Sequence, residues 1–277
     1  MRVFLTGASG YIGGAVASAL RKNGHDVAAL VRPDADTRRL RGAGVVLVAG
    51  DLSSMPSLAG TLDKYDVLVH TAFASKDPVA MDRTAVDVFS AARRHFIYTS
   101  GVWVLGNTTN ANESTPVNPL ALVAWRPAHE KLAIESGGAV LRPGCVYGGK
   151  QSLLAGWFAA AEEGRAITIA GDGKNRWALV NLHDLADLYV RTVEQKAKGV
   201  LHGIDDTHAS LDECARALTG KIEHVEPDRQ KLGPFADALV VDEVVSSSET
   251  RRKVGWSPKR TFTGSIDEQR REYRASR

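Results

Sequence analysis

A glycine-rich turn set between a short apolar run and an amphipathic stretch constrains this chain more than any other feature. Thr6-Gly7-Ala8-Ser9-Gly10-Tyr11-Ile12-Gly13 follows Val3, Phe4 and Leu5, and Ile12, Val16 and Leu20 then recur at four-residue spacing, one apolar stripe of a helix over 11–22. Asn23-Gly24 ends that helix, because both residues tolerate the left-handed conformation of a C-terminal cap. Residues 27–31 are too uniformly apolar for a strand with one wet face and read as a strand of a parallel sheet covered on both sides. The chain therefore opens β-α-β with the glycines at its first turn. There Gly7 permits the tight turn, Gly10 lets the backbone approach a pyrophosphate, and Gly13 lets helix and strand pack closely. The unpaired N–H groups and positive dipole end of the helix meet the phosphate charge, so Gly7, Ser9, Gly10, Tyr11, Ile12 and Gly13 form an expected dinucleotide cradle.

The alternation continues with strands expected at 45–49 and 67–70, a helix over 79–93 and a strand at 96–99. A polar, Asn-rich loop follows at 106–118, then a helix reaching about Ser136 and a strand at 139–142. Beyond that point, helices are expected at 152–163 and 184–194, an extended segment at 166–170, and a final polar helix at 264–274. The expected fold is α/β: a Rossmann-type doubly wound parallel sheet with a smaller C-terminal substrate lobe. Its dinucleotide-binding domain would span 1–148, with the chain returning to it at about 174–204, and 149–173 with 205–277 would form the lobe.

The tip of the second strand discriminates between nicotinamide cofactors, because a carboxylate there would bind the adenosine ribose of NAD and repel the extra phosphate of NADP. Leu30-Val31-Arg32-Pro33 carries no carboxylate, and Arg32 can pair with a 2′-phosphate, with Arg38 or Arg39 adding to it. NADP(H) is favoured and NAD(H) remains open, since Asp34 and Asp36 lie close by. Lys and Arg exceed Asp and Glu by only 35 − 32 = 3, spread along the chain, which predicts no nucleic-acid partner. No apolar run approaches the roughly 18 residues of a membrane span. Two distant cysteines, Cys145 and Cys214, form neither a disulfide framework nor a metal pair, and the eight histidines include no His-Glu-x-x-His helix, so no metal site is expected. With a strand beginning at the first residues and no leader ahead of it, the expected location is the cytoplasm.

Several further segments, read together with the TGASGYIG loop, resemble the extended short-chain dehydrogenase/reductases, the NAD-dependent epimerase/dehydratase family. They are Gly50-Asp51-Leu52, His70-Thr71-Ala72, Leu141-Arg142-Pro143-Gly144-Cys145-Val146-Tyr147-Gly148, Gly171-Asp172-Gly173, and Val180-Asn181-Leu182-His183-Asp184-Leu185-Ala186, with a weaker echo at Lys253-Val254-Gly255-Trp256-Ser257-Pro258. The resemblance implies that Asp51 and Leu52 hold the adenine, that Ala72 lines the middle of the cofactor, and that Pro143, Cys145 and Val146 lie along the nicotinamide. It also suggests a homodimer.

Family catalysis uses a Ser or Thr on the substrate oxygen, a Tyr that moves its proton, and a Lys four residues beyond the Tyr that holds the nicotinamide ribose and lowers the tyrosine pKa. Ser100 or Thr99 fits the hydroxyl role and Lys131 the lysine role, but the position four before Lys131 is Pro127, and no tyrosine occurs between Tyr98 and Tyr147. Three readings stay open. Another acid such as His129, Tyr147 or Tyr98 takes over; Lys131 itself moves the proton; or the site senses cofactor without chemistry. His129 reads equally well as an exposed helix residue. Trp103, Trp125, Trp157 and Trp177 suit either packing or an apolar substrate pocket, and Arg176 is a candidate for a polar or anionic substrate group. The expected function is NAD(P)-dependent oxidoreduction, epimerisation or dehydration of a small carbonyl or hydroxyl compound. The alternative is a catalytically silent NADP(H) sensor that regulates a protein partner.

Overall fold

The structure is a computed structural model and describes residues 1–275. Its strands are, in chain order, β1 (Arg2–Thr6), β2 (Asp26–Val31), β3 (Val46–Ala49), β4 (Val67–His70), β5 (His95–Thr99), β6 (Thr108–Ala111), β7 (Ala139–Pro143), β8 (Cys145–Tyr147), β9 (Ile167–Ala170), β10 (Leu179–Asn181), β11 (Gly199–Gly203), β12 (Ile222–Val225) and β13 (Glu243–Val245). Seven of them form one parallel sheet in the order β3-β2-β1-β4-β5-β7-β11. From β1 the chain winds outward to β3, then returns across β1 to β4 and winds the other way. The glycine turn after β1 therefore sits where the winding reverses, the place at which a ligand can enter between strand ends.

Successive side chains of β1 serve opposite faces. Val3 and Leu5 pack with Val16 and Leu20 of helix α1 (Tyr11–Lys22), while Phe4 packs with Phe89 and Phe96 on the other side. Helices α2 (Arg38–Gly42) and α3 (Met55–Leu58) follow β2 and β3; α4 (Pro78–Ala91) and α5 (Arg126–Glu135) cover the Phe4 face. A second core gathers Phe262 with Tyr147, Trp157 and Phe158, their ring centroids 5.2, 6.5 and 6.2 Å away, and draws on α6 (Ala155–Glu162) and α8 (Leu211–Leu218). Between them α7 (Leu182–Gln195) leads back to β11.

Two local expectations are corrected. The polar loop at 106–118 contains β6, whose partner β13 lies far away in the chain, so no local apolar pattern announces it. The helix expected to follow that loop starts only at Arg126, after a 3-10 turn at Ala121–Val123. Pro127 in its first turn sets that start, because proline suits a position whose N–H has no helical partner.

Helix α5 is fixed to β7 by an ion pair. Arg142 donates from Nε and Nη2 to Glu130 at 3.1 and 2.6 Å, with both side chains buried. Removing one member strands the other charge in the interior. Glu130→Ala is therefore expected to destabilise the fold by about 3–5 kcal/mol, with a Glu130→Leu/Arg142→Met double variant recovering most of it, as measured by urea denaturation.

Candidate active site

At the glycine turn, backbones meet at distances that exclude side chains. Gly7 has φ +82°, and a Cβ on it would stand 2.5 Å from the Ala72 nitrogen. A Cβ on Gly13 would stand 2.2 Å from the Gly7 carbonyl oxygen and 2.5 Å from Thr71 Oγ1, which itself donates to the Thr6 carbonyl at 2.8 Å. Helix α1 begins at Gly10 without a side-chain cap, and Ser9 and Gly10 are exposed, so its leading amides face the crevice. An uncapped, exposed helix start with such a close backbone approach fits a pyrophosphate. Tyr11 and Ile12 have structural contacts there: the Tyr11 hydroxyl donates to the Gly148 carbonyl at 2.6 Å, and Ile12 packs on the core.

Three arginines gather near the tip of β2. Arg38 is held by Asp36 through hydrogen bonds of 2.6, 3.0 and 3.2 Å, and they pull the Asp36 carboxyl down to about 2. Arg32 reaches Asp34 only at 3.6 Å, both side chains being exposed. Arg39 has no partner among the described residues, and its Nη1 lies 4.0 Å from the Cβ position of Gly14 at the start of α1. Asp51 caps the 3-10 turn Leu52–Ser54, and hydrogen bonds from the Ser53 side chain and the Ser54 and Ser53 amides hold its carboxyl below the usual range.

The tip of β5 sorts the expected catalytic groups. Ser100 is buried and its Oγ has no hydrogen-bond partner among the described residues, whereas Thr99 Oγ1 is engaged with the Tyr189 hydroxyl at 2.6 Å. Lys131 is not brought here: its side chain is 71 % exposed and paired with Glu135 at 2.6 Å. Arg126, at the start of α5, takes that place. Its Nη1 donates to the Thr99 carbonyl at 3.0 Å and to the Tyr98 hydroxyl at 3.1 Å, and its guanidinium lies 4.5 Å from the ring centre of Trp125. Five residues of helix separate Arg126 from Lys131, roughly 140° around the axis, which points them to different surroundings.

The other proton-bearing candidates are committed elsewhere. His129 is buried rather than exposed, and its Nδ1 meets Asp82 Oδ2 at 2.6 Å. Asp82 also meets His70 Nε2 at 3.2 Å and accepts from the Tyr98 hydroxyl at 2.8 Å, while His70 Nδ1 meets Thr6 Oγ1 at 2.6 Å. Burial pushes the Asp82 carboxyl up, but the bonds from His129 and His70 and the charge of Arg126 outweigh it and hold it far below the ordinary value. Burial drives the Tyr98 phenol above its usual range. Tyr147 donates to Asp205 Oδ2 at 2.7 Å within the second core, where burial likewise drives its phenol up. Arg176 is neutralised by Asp242, which accepts from its Nε and Nη2 at 3.0 and 2.7 Å.

Residues 3–204 match the family model described as the NAD dependent epimerase/dehydratase family. The chain belongs to that family. An uncharacterised protein of Saccharomyces cerevisiae is 28 % identical to this epimerase/dehydratase-family chain, covering 93 % of it and 95 % of the relative. A 3-diazoavenalumate denitrifying reductase of a Streptomyces species is 27 % identical, covering 93 % and 96 %. Among solved structures, Pal from Bacillus thuringiensis superposes with a TM-score of 0.86 at 17 % identity over 100 % of both chains. The NAD complex of dTDP-glucose 4,6-dehydratase from Bacillus anthracis gives 0.84 at 16 % identity over 99 % and 97 %. Among the described residues, no helix of this family member is long and apolar enough to cross a membrane.

Two functional candidates escaped the sequence reading. Arg126 is one, and Pro127 was the available signal, since a proline that opens a helix puts its neighbour at the helix start. Glu243 is the other. It is buried on β13 with neither carboxyl oxygen partnered, and burial followed by the charge of Asp242 pushes it up to about 8. No local pattern marks it.

The Asp82 network gives a test of its own. Its folded-state pKa is depressed, so its stabilisation is full above the unfolded value of about 3.9 and is lost as pH falls below it. Asp82→Asn should cost about 3 kcal/mol at pH 7, and the gap to the wild type in denaturant titrations should close only below roughly pH 4.

Proposed function

We propose that this chain is an NADP(H)-dependent oxidoreductase acting on a small carbonyl or hydroxyl compound, in which Ser100 and Arg126 work without the tyrosine and lysine of the family pattern. The observation that carries this reading is the tip of β5. There a buried serine hydroxyl lacks any protein partner beside an arginine whose Nε and Nη2 are also unpartnered, while Tyr98 and Tyr147 both donate to buried carboxylates. The whole-length likeness to a Streptomyces reductase supports reduction as the direction.

A bound nicotinamide supplies the hydride. Gly7, Gly10 and Gly13 would admit the pyrophosphate to the start of α1, Asp51 and Leu52 would hold the adenine, and Ala72, Pro143, Cys145 and Val146 would line the rest of the cofactor. Ser100 donates a hydrogen bond to the substrate oxygen. Arg126 holds the nicotinamide ribose and sets a positive field where charge develops on that oxygen. Arginine stays charged at working pH, so it cannot relay a proton as a tyrosine does. Solvent, by way of the Ser100 hydroxyl, then completes the alcohol.

Arg32 and Arg39 are the proposed readers of the 2′-phosphate, because Arg38 is already occupied by Asp36. Arg39→Ala or Arg32→Ala should weaken NADPH binding about 10- to 100-fold and NADH binding little, as followed by fluorescence titration. Equal losses for both cofactors would reject NADP selectivity.

Ser100→Ala should lower kcat by about 10²–10³-fold against a panel of aldehydes and ketones, read as reduced-nicotinamide absorbance. Arg126→Ala should weaken NADPH binding and kcat together, with Arg126→Lys restoring part of both, and Lys131→Ala should change neither. Tight NADPH binding with no turnover across the panel, together with NADP(H)-dependent capture of a protein, would instead support the regulatory sensor.

A further inference from the structure

Most buried polar side chains whose needs are only partly met still have one bonded atom. Glu113 and Arg142, for example, each leave one atom unpartnered and bond through another. Among the described residues, Ser90, Ser100, Trp177 and Glu243 have no partner for any side-chain polar atom, and Glu243 and Trp177 are the two of these on directly hydrogen-bonded segments. They lie together: the Glu243 amide donates to the Arg176 carbonyl at 2.8 Å, one residue before Trp177. Cys145, on β8 beside β10, donates its amide to the Ala178 carbonyl at 2.7 Å, and burial, followed by the nearby Glu243 carboxylate, pushes its thiol up to about 12. Trp103 and Cys145 pack against the cluster that contains Trp177. A carboxyl and an indole N–H thus stand without partners next to the residue proposed to border the nicotinamide.

We infer that Glu243 is the residue by which the substrate chamber binds a neutral hydroxyl group of its substrate, an alcohol or a phenol. This rests on the proposed reading of the cofactor cleft. Three features select the chemistry. A hydroxyl both donates and accepts, so one group can satisfy an acid and an indole N–H, whereas an ammonium offers nothing to the indole. The charges around Glu243 are already balanced, with Asp242 paired to Arg176 and the Cys145 thiol neutral, so no cation is missing. Burial keeps Glu243 protonated through neutral pH, and a neutral carboxyl suits a neutral partner.

Stability decides first, without any ligand. An unpartnered buried carboxyl costs stability, so Glu243→Met should raise Tm by at least about 3 °C. Because the folded pKa lies above the unfolded one, a further, pH-dependent cost is absent below the unfolded value of about 4.3 and grows as pH rises toward 8. The gain should therefore be largest above pH 8 and smallest near pH 4. A fall in Tm for Glu243→Met at every pH would show a structural residue and overturn the inference.

Binding then tests the chemistry on the full chain loaded with NADP⁺, using benzyl alcohol, toluene and benzylammonium as probes in calorimetry. Benzyl alcohol should bind about tenfold more tightly than toluene, Glu243→Met should abolish that difference, and Glu243→Gln, which still donates and accepts, should keep it. Preference for benzylammonium, a difference that survives Glu243→Met, or no binding of any probe at about 10 mM would overturn it. If the wild type fails to bind NADPH, the proposed function fails, and the stability arm still judges Glu243 by itself.

Discussion

Everything in the cleft depends on how closely the turn after β1 packs against the end of β4. Gly7 and Gly13 bring three backbone segments to distances at which a single Cβ would collide with main-chain atoms. That approach lies beyond the paired ends of β1 and β4, where the winding reverses, and the uncapped start of α1 follows it. The same strand ends also begin the polar network. Thr6 on β1 meets His70 on β4, His70 meets Asp82 on α4, and Asp82 gathers His129 and Tyr98, with Arg126 completing the chain at the tip of β5. The glycine turn and the placement of Arg126 are therefore two ends of one hydrogen-bonded assembly.

The β-α-β start and its glycine turn were legible in the sequence because their determinants are local. Apolar periodicity, the glycine spacing and the bare tip of β2 each lie within about a dozen residues, which is the range over which helix and strand periods can be read. The catalytic half was not legible, because spacing along a helix has meaning only once its start is known. Pro127, four before Lys131, is the second residue of the helix rather than part of its interior. With its first residue at Arg126, Lys131 faces solvent and the basic residue at the site is an arginine. His129 misled for the same reason, since its neighbours in sequence are charged although its own face is turned toward Asp82. Glu243 was beyond reach for a different reason: its environment is assembled from β8, the segment before β10 and β13, which meet only in the folded chain.

On the proposed reading, a serine and an arginine in place of a tyrosine–lysine pair alter what the cleft does with charge. A tyrosine whose pKa is lowered by lysine both gives and takes a proton near neutral pH, so it serves either direction of a redox reaction. An arginine fixes one positive charge regardless of pH and stabilises negative charge on an oxygen without accepting a proton. On the proposed reading, such a site would stabilise the alkoxide that hydride transfer forms or consumes, in either direction, with solvent supplying or removing the proton.

The unpartnered groups extend that argument to the far wall of the chamber. Burying a polar atom without a hydrogen bond costs about 1–3 kcal/mol, and a fold gains nothing structural from it. Among the described residues Ser90, Ser100, Trp177 and Glu243 each bear that cost completely; Ser90 lies apart on α4, Ser100 follows β5, and Trp177 and Glu243 lie on hydrogen-bonded segments beside β8. His95, which also lacks a partner for its Nε2, begins β5 at the opposite end of the sheet and has no such company. Convergence is what separates a binding surface from an isolated packing flaw. A substrate oxygen at Ser100 and a second hydroxyl between Trp177 and Glu243 would satisfy all three groups at once, and that complementarity gives the apolar walls around them a reason to enclose polar atoms.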